Sequence, residues 1–352
     1  MDISLEWLNS YLTTPVGAEE AEEALTHAGF PIEETRPLDG DTFMDVEITS
    51  NRGDCLSHLG LAREIAASTG NALKPPAFTS PSSHGSSSLT LVNDEPGVCP
   101  RFTAQVIRGV RVGPSPDWLV RRLDAVGQRS INNVVDVTNY LTLEYGQPAH
   151  VFDLGRLEGS TLRIRFATEG EALTTLDGKK RTLKATDLVV ADGGRAQSLA
   201  GVIGGADSEV TNDTTDVVLE VACWDPVTIR TAARRLDIRT DAGYRFERGV
   251  HPMALETPAR RAAALIVELA GGSLEGDLLV EGAPDPAPVV VDLRPSRVSR
   301  LMGVPVDVGT MIGLLRHLEI DVDQGGEDTL RCTIPAHRLD LTREIDLVEE
   351  VI

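Results

Sequence analysis

Val134-Val135-Asp136-Val137-Thr138-Asn139-Tyr140, followed shortly by Gly146-Gln147-Pro148-Ala149-His150-Val151-Phe152-Asp153, gathers hydroxyl, amide, imidazole and carboxylate groups around a glycine and a proline. Such a mixture predicts a rigid turn bearing polar groups, the usual place for binding and chemistry. The stretch lies inside a longer one, about Leu89 to Ala283, in which short β-rich runs alternate with helical patterns. Phe102 to Val112, Leu162 to Phe166, Leu188 to Ala191 and Val217 to Val221 read as strands. Asp117 to Val126, Pro226 to Leu236 and Met253 to Leu269 read as helices. This order predicts an α+β unit with layered sheets, since no βα turn carries a Gly-rich phosphate loop and no nucleotide site is legible.

On the N-terminal side the pattern is helix, helix, strand, helix. Leu5, Leu8 and Leu12 fall at helical spacing, Gly17 opens and Gly29 closes an Ala/Glu-rich helix, Phe43 to Thr49 alternates, and Leu59 to Ser68 is stopped by Gly70. Between Lys74 and Ser88 the composition shifts to Pro, Ser and Gly, too polar to fold, which predicts a linker. On the C-terminal side, the Pro-rich Gly282–Pro288 stretch precedes a strand at Val289 to Leu293. A helix from Val308 to Leu318, a strand pair around Val322 and Thr333, and an acid-rich helix from Asp340 onward follow. That helix reaches Ile352 without a capping glycine or basic last turn, so the natural chain is expected to be longer.

With 352 residues, 41% of them hydrophobic, the chain can fill several cores, and two or three compact units are expected. No apolar run approaches the roughly 18 residues needed to cross a bilayer, and Met1 to Trp7 lacks the build of a signal peptide. A soluble, cytoplasmic protein is expected. Cys55, Cys99, Cys223 and Cys332 lie far apart and read as buried thiols. The formal charge of −21 opposes broad attraction to a polyanion, so any RNA contact must be local. Arg230 to Arg261 is the best candidate patch, although its acids also fit a solvated helix face.

The two opening segments resemble the B3/B4 editing domain of the bacterial phenylalanyl-tRNA synthetase β subunit. The likeness extends along nearly the whole chain, in the family's order. It includes Thr49 to Cys55 with Leu59 to Glu64, Leu199 to Gly205, Leu219 to Ala222, Arg239 to Val250 and Asp340 to Glu350. The resemblance implies an α+β, multidomain fold: small winged-helix-like N- and C-terminal domains (1–74, B1-like; 284–352, B5) flank a layered β/β/α editing domain (89–283), with 75–88 as linker. It implies a β subunit fragment of phenylalanine–tRNA ligase that hydrolyses mischarged Tyr-tRNA(Phe). An α subunit would be the partner in an α2β2 heterotetramer, with no role for DNA or membrane. ATP would be used by the complete enzyme only, and aminoacylation would lie beyond this chain alone. The chain departs from the family at Pro37 to Asp41, which directly joins stretches that an OB-fold tRNA-binding domain usually separates.

Residue by residue, the resemblance places Glu220 as the reader of the tyrosine hydroxyl. It places His150 beside the hydrolytic water, Thr138 and Asn139 beside the ester, Pro148 in the turn, and Ala200 and Gly201 against the substrate ring. It places Mg²⁺ on Asp340, Asp346, Glu349 and Glu350 at the α-subunit contact. From the residues alone, Glu220 is a lone acid in an apolar strand, which fits a designated task or an outward-facing position. His150 alone fits a structural histidine, Thr138 and Asn139 fit turn chemistry, and Ala200–Gly201 a tight turn. An acidic helix alone most often marks a solvated face. Two other functions share the motifs: a free-standing aminoacyl-tRNA deacylase, and a non-catalytic scaffold that binds tRNA or the α subunit.

Overall fold

The computed structural model describes residues 1–284 and 286–352; Asp285, within the expected Pro-rich boundary, lies outside the described residues. The chain divides into two compact units, Met1–Pro76 with Pro286–Ile352, and Ala77–Asp285.

The first unit begins with β1 (Asp2–Ser4) and α1 (Leu5–Asn9), where the Ser4 hydroxyl caps the helix by accepting from Trp7 N at 3.0 Å. Next come α2 (Ala18–His27), β2 (Ile32–Leu38), β3 (Asp41–Val46) and α3 (His58–Thr69). The strands pair antiparallel in the order β1-β3-β2. The sequence reading lacked β1 and β2, because β1 is three residues long and β2 is an exposed edge strand whose charged residues show no alternation. A tight turn through Gly40, at φ +73°, joins β2 directly to β3, with Leu38 opposite Asp41.

The second unit starts with β4 (Ser83–His84), which pairs in parallel with a later strand; two residues of the expected linker therefore form a short edge strand. It continues with β5 (Thr90–Asn93), β6 (Arg101–Arg108), α4 (Asp117–Ala125), α5 (Val135–Tyr145) and β7 (Ala149–Asp153). After these come β8 (Thr161–Phe166), the β9–β10 hairpin (Ala172–Thr174, Lys180–Thr182), β11 (Leu188–Ala191), β12 (Ala196–Leu199), β13 (Ile203–Gly204) and β14 (Asp216–Cys223). The unit ends with α6 (Pro226–Leu236), α7 (Asp241–Phe246), α8 (Glu256–Ala270) and β15 (Ser273–Gly282), the partner of β4. Two five-stranded sheets result, β13-β12-β11-β8-β5 and β4-β15-β6-β14-β7. One core joins Phe102, Ala104, Val106, Val218 and Ala222 of the second sheet to Leu162, Ile164, Val190 and Leu199 of the first. The alternate residues Val217, Leu219 and Val221 are buried but outside that core, and α8 packs on β14 and β6.

Helix α5 corrects the expected turn over Val134 to Tyr140. Asp136, Thr138 and Asn139 are poor interior helix residues, but local bonds and packing override them. Asn132 Oδ1 accepts from Val134 N and Val135 N. Asp136 leaves the helix ladder intact by accepting from the Ser115 and Ser130 hydroxyls and Ile131 N. Val137, Tyr140 and Leu141 are buried at helical spacing. The turn itself is shorter: Gly146 ends the helix at φ 74°, and Gln147–Pro148 lead into β7.

The chain re-enters the first unit as β16 (Val290–Leu293), α9 (Pro295–Met302), α10 (Val308–His317), β17 (Asp321–Gly326), β18 (Thr329–Thr333) and α11 (Glu344–Val351). Its antiparallel sheet has the order β16-β18-β17. Arg63 of α3 pairs with Glu319 at 2.8 Å, tying the two segments of this unit together. The last helix starts four residues later than expected, because Arg343 and Asp346 form a capping box that fixes its first turn. No helix among the described residues is long and apolar enough to cross a membrane. All four cysteines are buried free thiols.

Candidate active site

The β7–β14 register sets Glu220 directly opposite His150, with Ala104 of β6 on its other side. Alternation places Glu220 on the face shared with Val218 and Ala222, toward the layer between the two sheets. The carboxyl is 6% exposed, and its Oε2 is buried without a hydrogen-bond partner. His150 is half-buried, with its ring edge-on to Phe152 at 4.5 Å. A carbon added at Gly204 would lie 2.5 Å from His150 Cε1 and 2.9 Å from Leu176 Cδ1, so β13 meets β7 here only because Gly204 has no side chain.

Burial sets the charge of both groups. It pushes the Glu220 carboxyl up to about 8 and the His150 imidazole down to about 4. At neutral pH the pair is therefore mostly a neutral acid beside a neutral imidazole. The acid can both donate and accept, and the imidazole can accept through its bare nitrogen.

Two further buried polar atoms beside the C-terminal end of β14 lack partners. Trp224, just past the strand, has an unpaired buried Nε1. Gln147 donates through Nε2 to Pro148 O (3.1 Å) and to Ala222 O (3.0 Å), while its Oε1 is buried and unpaired. An unpaired buried polar group costs about 1–3 kcal/mol, and a polar ligand reaching any of these three atoms would relieve that cost. Sequence reasoning missed Gln147, Trp224, Leu176 and the contact role of Gly204. Trp224 continues the 218–220–222 alternation, which could have revealed it.

The loop between β12 and β13 supports this corner. Gly201 sits at φ +65°, and a carbon added to it would lie 2.7 Å from Trp224 Cδ1 and 2.9 Å from Ile229 Cδ1. Ala200 is 1% exposed within the inter-sheet core. The Thr240 hydroxyl holds the loop by donating to Val202 O at 2.8 Å. Thr138 and Asn139 lie on α5. The Thr138 hydroxyl donates to Val135 O at 2.7 Å, and neither residue shares a described hydrogen bond with His150 or Glu220. Pro148 is buried at the entry to β7.

The first unit holds a cleft of about 650 Å³ lined by Arg52, Glu64, Asp340, Asp346, Glu349 and Glu350, among others. Three of the four acids expected to hold a metal there are already engaged by arginines. Arg338 donates to both oxygens of Asp340, at 2.9 and 2.8 Å, and to both oxygens of Glu350. Arg343 donates to Asp346 at 2.8 Å, and Glu349 is exposed. Among the described residues, the group that converges as metal ligands would is Asp54, Cys55 and Glu64, and Arg52 bonds all three. In this arrangement Asp340, Asp346, Glu349 and Glu350 do not fit a Mg²⁺ ion, which needs several convergent oxygens. Titrating Mg²⁺ into the chain alone is expected to leave its unfolding midpoint unchanged; a midpoint that climbs with Mg²⁺ would show that the arginines yield their acids to the ion.

Comparison with known proteins gives a consistent picture. The B3/4 domain family matches residues 98–271, and the tRNA synthetase B5 domain family matches 291–352. The phenylalanine–tRNA ligase β subunit of Rhodopirellula baltica is 43% identical over 353 residues, covering 100% of this chain and 52% of the relative. That of Geobacter sulfurreducens is 46% identical over 314 residues, covering 88% of this chain and 39% of the relative. The chain thus spans about half the length, or less, of the curated relatives it matches. In fold it is similar to the crystal structure of an N-terminal fragment of the phenylalanyl-tRNA synthetase β-subunit from Pyrococcus horikoshii. The TM-score is 0.54 at 17% identity, over 100% of this chain and 98% of the other.

Proposed function

The chain belongs to the phenylalanine–tRNA ligase β-subunit family, and from that premise we propose that its second unit hydrolyses tyrosine from Tyr-tRNA(Phe) at the Glu220–His150 site. The observation that carries this reading is the buried, unpaired Oε2 of Glu220 beside His150. A phenolic hydroxyl entering the layer would satisfy that carboxyl, whereas a phenyl ring would leave it unpaired. Sites of this kind discriminate strongly by the penalty on the analogue that lacks the group.

In this reading Ala200 and Gly201 leave room for the ring, and Pro148 and Gln147 shape the wall beside Ala222. Thr138 and Asn139 flank the ester. Neutral His150 accepts a hydrogen bond from the attacking water and holds it against the ester carbonyl. The water oxygen bonds to the carbonyl carbon, the carbon–oxygen bond to the ribose breaks, and the departing ribose oxygen takes up a proton. An imidazole pushed down to about 4 is a weak base at pH 7, so its part is orientation more than proton removal. The relatives are named as ligase β subunits, which supports a ligase role with an α-subunit partner; in our reading that ligase is a cytoplasmic α2β2 assembly and the complete enzyme uses ATP and Mg²⁺. The terminal segments, each setting three antiparallel strands against helices, then supply winged-helix-like supports.

His150→Ala is expected to slow release of tyrosine from Tyr-tRNA(Phe) by about 100-fold with little change in KM, the size of effect typical of losing a positioned proton acceptor. The parent's rate should also be flat across the ordinary histidine range near pH 6.5. Undiminished hydrolysis by this variant would remove His150 from the mechanism.

A further inference from the structure

The chain carries four lysines, and three of them, Lys179, Lys180 and Lys184, fall on or just after the β9–β10 hairpin. From Asp177 to Lys184 there are four bases and one acid, and α6 carries three arginines and no acid, in a chain of formal charge −21. Such a concentration is the local exception that an RNA contact on an acidic protein requires.

The hairpin is fixed on both sides. Toward the candidate site, Leu176 N donates to Gly204 O at 3.0 Å, Thr175 bridges to Gly205, and the Leu176 side chain and the His150 ring both border the space over Gly204. Toward α6, Arg181 donates to Leu236 O at 2.7 Å. Asp187 accepts from both Lys184 N and the Arg235 side chain, which brings Lys184 beside the helix. Arg239 precedes Thr240, whose hydroxyl is bonded to Val202 O in the site's own loop. Among the described residues, Lys180, Lys184, Arg230, Arg234 and Arg239 have no ion-pair partner, and all five are exposed. Leu176 is 43% exposed, an apolar side chain open to solvent at the edge of the site.

We infer that the β9–β10 hairpin and the exposed side of α6 form a cationic strip that grips the phosphates of a single-stranded RNA 3′ end, with Leu176 as the apolar wall against which its terminal nucleotide rests beside His150. The strip rests on the proposed deacylase reading for its purpose, and on its own charge and attachment for its binding. The patch expected from Arg230 to Arg261 narrows accordingly. Arg245 is buried, Arg248 lies over Tyr244, and Arg260 and Arg261 pair with Glu256 and Glu144, which leaves Arg230, Arg234 and Arg239 to join the lysines.

The test uses a 5′-labelled tRNA acceptor minihelix with a single-stranded ACCA end, its dissociation constant followed between about 50 and 200 mM salt. Lys180→Glu/Lys184→Glu is expected to weaken binding about tenfold and to lower the salt slope by about 1.5, the loss of two phosphate contacts on a single strand. In deacylation the same variant should raise KM and leave kcat unchanged. The same change of charge at Lys74 and Arg300, in the other unit, is expected to do neither. A parent that binds the minihelix through these lysines but hydrolyses no ester keeps the strip and sinks the deacylase reading. Hydrolysis whose KM and salt slope ignore the lysine variant, or a parent that does not bind the minihelix, overturns the strip.

Discussion

Glu220→Gln is expected to stabilise the chain at pH 9 by roughly 5 kcal/mol while changing little at pH 5. The folded carboxyl titrates near 8 against an ordinary value of 4.5, so the native state keeps a proton that the unfolded chain releases. The parent's stability is complete below about 4.5, declines as the pH rises toward 8, and stays low above it. Glutamine keeps the shape and does not titrate, so it escapes that decline. For a unit of this size the gain corresponds to a midpoint higher by about 10–20 °C at pH 9. His150 acts in the opposite direction: pushed down to about 4, it subtracts stability only as the pH falls below the ordinary histidine range. Thermal unfolding of parent and variant from pH 5 to pH 9 reads both. Parallel curves would mean that Glu220 is solvated in the folded protein.

The second large effect separates two glycines three residues apart. Gly201→Val is expected to cost about 4 kcal/mol, combining an unfavourable left-handed backbone with overlap against Trp224 and Ile229 in a packed core. Gly204 has no such backbone demand, and the atoms in its way are the ends of the His150 and Leu176 side chains, which can move. Gly204→Ala is therefore expected to leave the unfolding midpoint within a few degrees of the parent and to lower tyrosine release by about 100-fold, because the His150 ring must turn away. Equal destabilisation of the two variants, measured by chemical denaturation, would show that the corner is merely packed.

The contrast between these glycines also marks where sequence stops being informative. Leu199 to Gly205 shows that the chain turns tightly, but Gly204 meets His150 only because two separate sheets are laid face to face. The strands that pattern by burial alone were legible: Leu188–Ala191 is β11, and Val217–Val221 lies within β14. So was α6, whose Asp225 cap and N-terminal proline announce it. Helix α5 was not, since its Asp, Thr and Asn favour turns and its start depends on Asn132 and on serines distant in sequence. The Glu220–His150 pairing was likewise hidden. Four strands of the first sheet and the two hairpin strands intervene between β7 and β14, and register between distant strands leaves no local trace. Motif resemblance named the two residues; the register shows that they are neighbours. The acidic set at α11 shows the reverse, because spacing suggested a shared face while Arg338 and Arg343, close in sequence, hold three of its four acids.

The central claim is that Glu220 reads the hydroxyl of a tyrosyl ester. The most direct measurement is the ratio of kcat/KM for Tyr-tRNA(Phe) over Phe-tRNA(Phe), for the parent and for Glu220→Ala. The account predicts a ratio of about 100 or more in the parent, collapsing toward one in the variant through loss on the tyrosyl substrate alone. Equal release of both amino acids by the parent, or a ratio that survives removal of Glu220, would contradict it.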